Sequence, residues 1–302
     1  IGNSVLRANG DTKTPSIVMG ASGLVNAVLD PILIFGFGPI DAMGVQGAAI
    51  ASAISWLIGV VAILYILTAQ RKLISVRCNR QSYRGAARKI LKIGLPAAGA
   101  NMLTPLAMAV MTAIVARFGA PAVAAFGVGS RIESIASLVV LALSMTLPPF
   151  ISQNFGAGKV ERVKEAYQHT LKFVMVWQFG IYLLLLIVAP FIAQAFADDE
   201  YVKDVIKLFI YILPLSYGLQ GVIILTNSSF NAVHKPINAL ILSVVRLFVF
   251  YVPIAYVGSL IADLDGLFIG AAVGNLFTAV VAYYWFSKEL RCAQSKAQEA
   301  TQ

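Results

Sequence analysis

Uninterrupted apolar runs recur along the whole chain, and several exceed the roughly 20 residues that an α-helix needs to cross a bilayer core. This feature limits the fold more than any motif does. A backbone in lipid must satisfy its polar groups internally, which leaves helices or closed strand barrels. Barrels would show short alternating segments, and none is present. The runs predict an all-α integral membrane protein with eight transmembrane helices, at about 15–37, 43–68, 93–117, 122–150, 169–197, 205–230, 237–260 and 264–287. Composition agrees: 59% of residues are hydrophobic, 12% are charged and mean hydropathy is +0.80. A soluble domain has roughly 25% charged residues.

The net charge of +9 raises the question of nucleic acid, so the position of the basic residues matters. Arg71, Lys72, Arg77, Arg80, Arg84, Arg88, Lys89 and Lys92 fall between the second and third runs with no acid among them. Lys159, Arg162, Lys164, Lys235, Lys288, Arg291 and Lys296 mark alternate connections, while Asp41, Asp198, Asp199, Glu200, Asp263 and Asp265 mark the others. Such alternation is the positive-inside pattern. It predicts that both ends of this chain are cytoplasmic, and it accounts for the charge through the bilayer rather than through nucleic acid. Cys78 and Cys292 then both face a reducing compartment, where a structural disulfide is not expected. Phosphate loops, zinc-helix motifs and nucleophile elbows are absent, so the chain reads as neither an enzyme nor a cofactor protein.

An internal repeat organises the runs. Pro15, Pro31 and Gly47 are spaced by 16 residues, and Pro236, Pro253 and Gly270 by 17. Each triplet follows an Asn-Ser pair, Asn3-Ser4 or Asn227-Ser228. Both copies start on the same side, so the repeat is parallel, as in some transporters. If the second copy closes a six-helix unit, residues 1–69 are the last two helices of an N-lobe. Residues 70–92 are then a cytoplasmic linker, 93–290 a six-helix C-lobe and 291–302 a cytoplasmic tail. The chain opens on Ile1 in mid-pattern, and an upstream portion is expected.

The stretches RANGDTKTPSIVMGASGLVNAVLDPILIFG, LKIGLPAAGANMLTPL, ARFGAPAVAAFGVGSRIESI and PPFISQNFGAGKVERVKEA resemble the multidrug and toxic compound extrusion family. The resemblance extends over nearly the whole chain. It implies the C-terminal part of a twelve-helix, two-lobe transporter of a bacterial or archaeal cytoplasmic membrane. Such a transporter exports cationic or amphipathic small molecules in exchange for H+ or Na+. No cofactor is implied, and a monomer is expected. A lipid-linked oligosaccharide flippase of the same superfamily is the alternative. A channel or a membrane-embedded enzyme would need a pore ring or a catalytic cluster that the sequence lacks.

Asp30 sits inside the first run, four residues after Asn26. A carboxylate at mid-depth costs about 2.5–3.5 kcal/mol on insertion scales, so an acid there usually serves function. Four residues place both side chains on one helix face, where they could hold a proton or help to ligate Na+. Capping a kink at Pro31 is the structural alternative. The resemblance implies that these two residues belong to an N-lobe cation site. Glu133, Arg131 and Arg246 are the other polar intrusions. Glu133 and Arg246 read either as a structural ion pair or as a cavity carboxylate with a nearby cation. Asn101, Thr104, Tyr211, Tyr217 and Gln220 are further candidates to line a C-lobe cavity. The third run carries no acid, a departure from the family pattern.

Overall fold

A computed structural model describes residues 2–37, 41–73 and 80–299, which form a succession of helices. The chain divides into two compact units, Ile1–Ala86 and Ala87–Gln302.

The first unit contains α1 (Gly2–Ala8), α2 (Lys13–Phe35) and α3 (Val45–Tyr65), the last continued by a π-helical turn, Ile66–Gln70. The start of α2 is fixed by Asp11, whose carboxylate accepts from the Thr14 backbone N–H at 3.0 Å and the Thr14 hydroxyl at 2.8 Å. Arg71 pairs with the same carboxylate at 2.6 Å. The Thr14 N–H, then its hydroxyl and Arg71, hold this acid below its ordinary pKa. Gly36, at φ +80°, ends α2 in a conformation that only glycine adopts freely. Helices α2 and α3 then pack so closely that a Cβ on Gly47 would lie 2.2 Å from the Leu33 carbonyl oxygen. The buried apolar cluster here is small, Leu6, Ile63 and Leu67. Ile17, Leu24, Phe35 and Trp56 all point outward, each at least 70% exposed. Outward apolar surface on this scale suits lipid rather than water.

The second unit takes in α4 (Arg80–Val115) from Ala87 onward, α5 (Ala120–Ala136), α6 (Leu138–Gly156) and α7 (Val160–Phe196). These are followed by α8 (Glu200–Ile212), α9 (Tyr217–Ala232), α10 (Pro236–Val244), a π-helical turn at Val245–Tyr251, and α11 (Val252–Glu299). Among the described residues, seven helical stretches are long and apolar enough to cross a membrane, where eight were expected. The last of them, Pro236–Ser295, covers both of the final expected runs. Within α11 the helical geometry breaks at Ala262 and Asp263, which divides it into two helical limbs. The chain turns back there. A Cβ on Gly258 would meet the Gly266 carbonyl oxygen at 2.0 Å, one on Gly270 the Ile254 oxygen at 2.5 Å, and one on Gly274 the Tyr251 Cα at 2.8 Å. Partners that step backward as the glycines step forward describe an antiparallel helical hairpin.

Other boundaries also shift. The run expected at 93–117 begins at Arg80, and the run at 122–150 is broken at Ser137 between α5 and α6. Residues 205–230 include a 3₁₀ turn, Leu213–Ser216, at Pro214. Helix α11 continues through the expected tail to Glu299. Cys78 and residues 74–79 of the expected linker lie outside the described residues. Cys292 is a free, exposed thiol.

Two apolar cores are strung along the helices of this unit. One gathers around Phe126, Phe209 and Phe268, the other around Tyr167, Phe230 and Phe286. Where the chain passes from one core to the other a polar residue stands between them: Ser137 at the α5–α6 break, Gln178 in α7, Gln220 in α9, Arg246 after α10 and Asn275 in α11. Gln178 is 1% exposed, and its side-chain amide donates to the Ala136 carbonyl at 3.0 Å, satisfying the broken end of α5. Gln178→Leu is therefore expected to leave a buried carbonyl unpaired and to cost about 1–3 kcal/mol. A lowered thermal midpoint in detergent would show this; an unchanged one would mean that the α5 break does not depend on Gln178.

Candidate functional site

In the first unit, Asn26 and Asp30 lie one turn apart on α2, and the Asn26 amide donates to Asp30 Oδ1 at 3.3 Å. Both are half-buried. Pro31 follows directly and stays inside the helix. Its missing N–H removes the donor that would otherwise bond the Ala27 carbonyl. An amide oxygen, a carboxylate and this backbone oxygen thus share one turn. Asn26 also lines a cavity of about 360 Å³ with Asn3, Ser22 and Ser55, whereas Asp30 lies a turn beyond its wall. The Asn3 side-chain oxygen is buried without a partner. These donors are neutral or anionic oxygens, the type that hard monovalent and divalent cations take. Asp30 makes no ion pair among the described residues, so its charge is not already committed to a fixed basic residue.

In the second unit, Glu133 sits in the last turn of α5, just before the break. Its Oε1 accepts from the Gln220 amide at 2.8 Å, across from α9. Arg246 lies in the π-helical turn after α10, with its guanidinium 5.8 Å from the Tyr251 ring centroid. A π turn bonds residue i to i+5, which brings residues five apart toward one face. The sequence expectation of a direct Glu133–Arg246 ion pair is corrected here. No such pair forms, because the π turn aims the guanidinium at Tyr251 while Gln220 occupies the carboxylate. The two groups still interact through space, and Tyr217 and Tyr251 also lie within electrostatic reach of Glu133. Arg246 Nε and the Tyr217 hydroxyl are buried without hydrogen-bond partners. Tyr217 and Tyr251 are buried, and Glu133, Gln220 and Arg246 are half-buried; a polar cluster so incompletely satisfied is costly, and such sites are candidates for water or a ligand group.

The remaining candidates are not brought into this cluster. Arg131 is exposed two residues from Glu133, a spacing that does not face one helical direction. Asn101 and Thr104 are exposed on α4. Tyr211 is 43% exposed, and its backbone carbonyl accepts from the Tyr182 hydroxyl at 3.3 Å. Tyr251 and Asn275 were not anticipated. Asn275 is 3% exposed and donates to the Ser216 hydroxyl at 3.2 Å, beside Tyr217. A lone asparagine in an apolar run was the available signal.

Comparison with known proteins places these sites in context. The MatE family model matches residues 96–257, just over half of the chain. The chain is 38% identical over 285 residues to a protein of Shewanella oneidensis named FAD transporter, and 27% identical over 297 residues to the probable multidrug resistance protein YpnP of Bacillus subtilis. Each match covers 94% of this chain and 63% of the relative, so the chain spans somewhat under two thirds of their length. The crystal structure of the Vibrio cholerae MATE transporter VcmN in its bent form superposes with a TM-score of 0.88 at 34% identity, covering 97% of this chain and 66% of that one. A Pyrococcus furiosus transporter of the MOP superfamily superposes with the same TM-score of 0.88 at 25% identity, covering 97% of this chain and 66% of that one. The long apolar helices and the family match agree: this chain is a multi-pass membrane protein of the MatE, or multidrug and toxic compound extrusion, transporter family.

Proposed function

We propose that this chain forms part of a secondary antiporter that exports cationic or amphipathic small molecules in exchange for H+ or Na+. The Asn26–Asp30 pair, beside a mainly apolar cavity that Asn3, Ser22 and Ser55 also line, carries the proposal, because a carboxylate with no fixed cation at membrane depth is expensive unless an ion or proton visits it. Counting the two limbs of the Pro236–Ser295 hairpin separately gives eight crossings, with both ends of the chain cytoplasmic. Residues 1–69 and 93–290 then belong to different lobes. In this reading the C-lobe cluster of Glu133, Gln220, Tyr217 and Arg246 contacts substrate, with Tyr251 orienting the guanidinium. Alternating access of the lobes exposes the sites to each side in turn.

One observation favours a second reading. Arg246 places a permanent cation at mid-depth, and an anionic substrate would suit it. A relative of 38% identity is named a FAD transporter, and the binding pocket of the Pyrococcus furiosus transporter is described as having reverse polarity. Everted vesicles carrying the protein separate the two readings. Uptake of ethidium driven by an imposed proton or sodium gradient is expected, with FAD a poor competitor. Gradient-driven FAD uptake that ethidium does not inhibit would favour the anionic substrate instead.

A further inference from the structure

A third polar site, sharing no residue with the other two, lies in the second unit where the apolar stretch of α11 gives way to charge. Between α7 and α11 is a cavity of about 190 Å³ whose lining includes Lys164, Gln168, Ser287, Lys288 and Arg291 and no carboxylate. Its floor is aromatic. The Tyr167 ring stacks on Tyr283 with centroids 6.4 Å apart and planes 15° apart, while the Tyr167 hydroxyl is held inside by Thr226 at 2.7 Å. Spacing explains the convergence. Residues 284, 287, 288 and 291 share one face of α11, and 164, 167 and 168 share one face of α7.

The ordinary role of basic residues at a helix end is to anchor it at the membrane surface. That role explains their number but not their gathering around a hollow free of acids. Glu165 does not line the hollow, and two other nearby acids are engaged elsewhere. Glu161 binds Lys164 at 3.0 Å and accepts from Gln294 at 3.2 Å, and Glu289 binds Lys235. Lys288 and Arg291 have no ion-pair partner among the described residues. Two free cations, a hydroxyl and a side-chain amide facing one hollow suit a phosphate group.

We propose that this hollow binds the phosphodiester headgroup of an anionic phospholipid. A lipid is favoured over a soluble phosphate because the hollow continues into an apolar strip on the same face of α11. Tyr284 is 71% exposed, Val280 59% and Phe277 50%, at successive spacings of four and three residues. An acyl chain leaving the headgroup would lie along that strip.

The test uses the protein in neutral detergent and fluorescent phosphatidylglycerol. Phosphatidylcholine and inorganic phosphate serve as competitors. Wild-type protein is expected to prefer phosphatidylglycerol to phosphatidylcholine, and millimolar inorganic phosphate should not displace it. Because Lys288 and Arg291 are exposed, their replacement should leave the fold intact. Each basic residue beside an anionic headgroup strengthens the attraction about five-fold, so Lys288→Gln with Arg291→Gln is expected to weaken binding about twenty-five-fold. Arg291→Gln alone should give an intermediate loss, and phosphatidylcholine binding should not change. Equal affinity of the double variant, absence of a headgroup preference in the wild type, or ready displacement by inorganic phosphate would each overturn the proposal. None of these outcomes depends on whether the protein transports a drug or a flavin nucleotide.

Discussion

Asp30→Asn is expected to reduce ion-driven efflux to the level of vesicles lacking the protein, while leaving the amount of folded protein unchanged. The substitution keeps the size of the side chain and the oxygen that accepts from Asn26 at 3.3 Å. It removes only the charge. In alternating access an ion does work by binding one conformation better than another, so a site that cannot change its occupancy cannot shift the balance. Asn26→Ala should weaken coupling less, since it deletes a neutral oxygen and leaves the carboxylate and the carbonyl freed by Pro31. The measurement is efflux of a fluorescent cation in everted vesicles under an imposed proton or sodium gradient. Wild-type export by the Asp30→Asn protein would make Asp30 a structural residue at the Pro31 step and would sink the coupling role.

The membrane class, the family and the Asn26–Asp30 pair were legible because each depends on local spacing. Apolar run length reports the solvent, and a separation of four reports a shared helix face. The repeat was legible for the same reason, and the fold gives it a physical meaning. Gly47 presses on the backbone two residues after Pro31, and Gly270 on the backbone one or two residues after Pro253. Both copies use a glycine to let a returning helix touch the helix before it. The spacing of 17 in place of 16 between Pro236 and Pro253 has a place in the fold as well. The π turn Val245–Tyr251 lies between those prolines and takes up one more residue per turn than an α-helix. That turn carries Arg246, whose guanidinium faces Tyr251, so the ion-pair alternative read from the sequence does not form as a direct contact. The break at Ser137 was hidden for a different reason. Nothing nearby breaks the helix; the partner that satisfies it, Gln178, is 42 residues from Ala136. Gln178, Gln220 and Asn275 each look like a tolerated polar intrusion in isolation. Only packing puts them at the crossing between two cores.

Removing the charge of Arg246 should destabilise the protein strongly, and removing Glu133 as well should restore part of the loss. Both groups lie in the layer between the cores, and each acts on the other through space as an opposite charge. Stripping one partner from a buried pair leaves an uncompensated charge, at a cost of about 3–5 kcal/mol for pairs in contact. These two are half-buried and not in contact, so Arg246→Gln is expected below that range, at roughly 2 kcal/mol. Glu133→Gln should cost less, because a neutral amide can still meet Gln220 and because Arg246 keeps the face of Tyr251. A double variant that recovers at least about 1 kcal/mol relative to the sum of the single losses would measure the coupling. The readout is the thermal midpoint in detergent, converted with the unfolding enthalpy of each variant. Strict additivity would mean that solvent screens the two charges from one another. Glu133 and Arg246 would then meet substrate as two independent groups and not as a coupled pair.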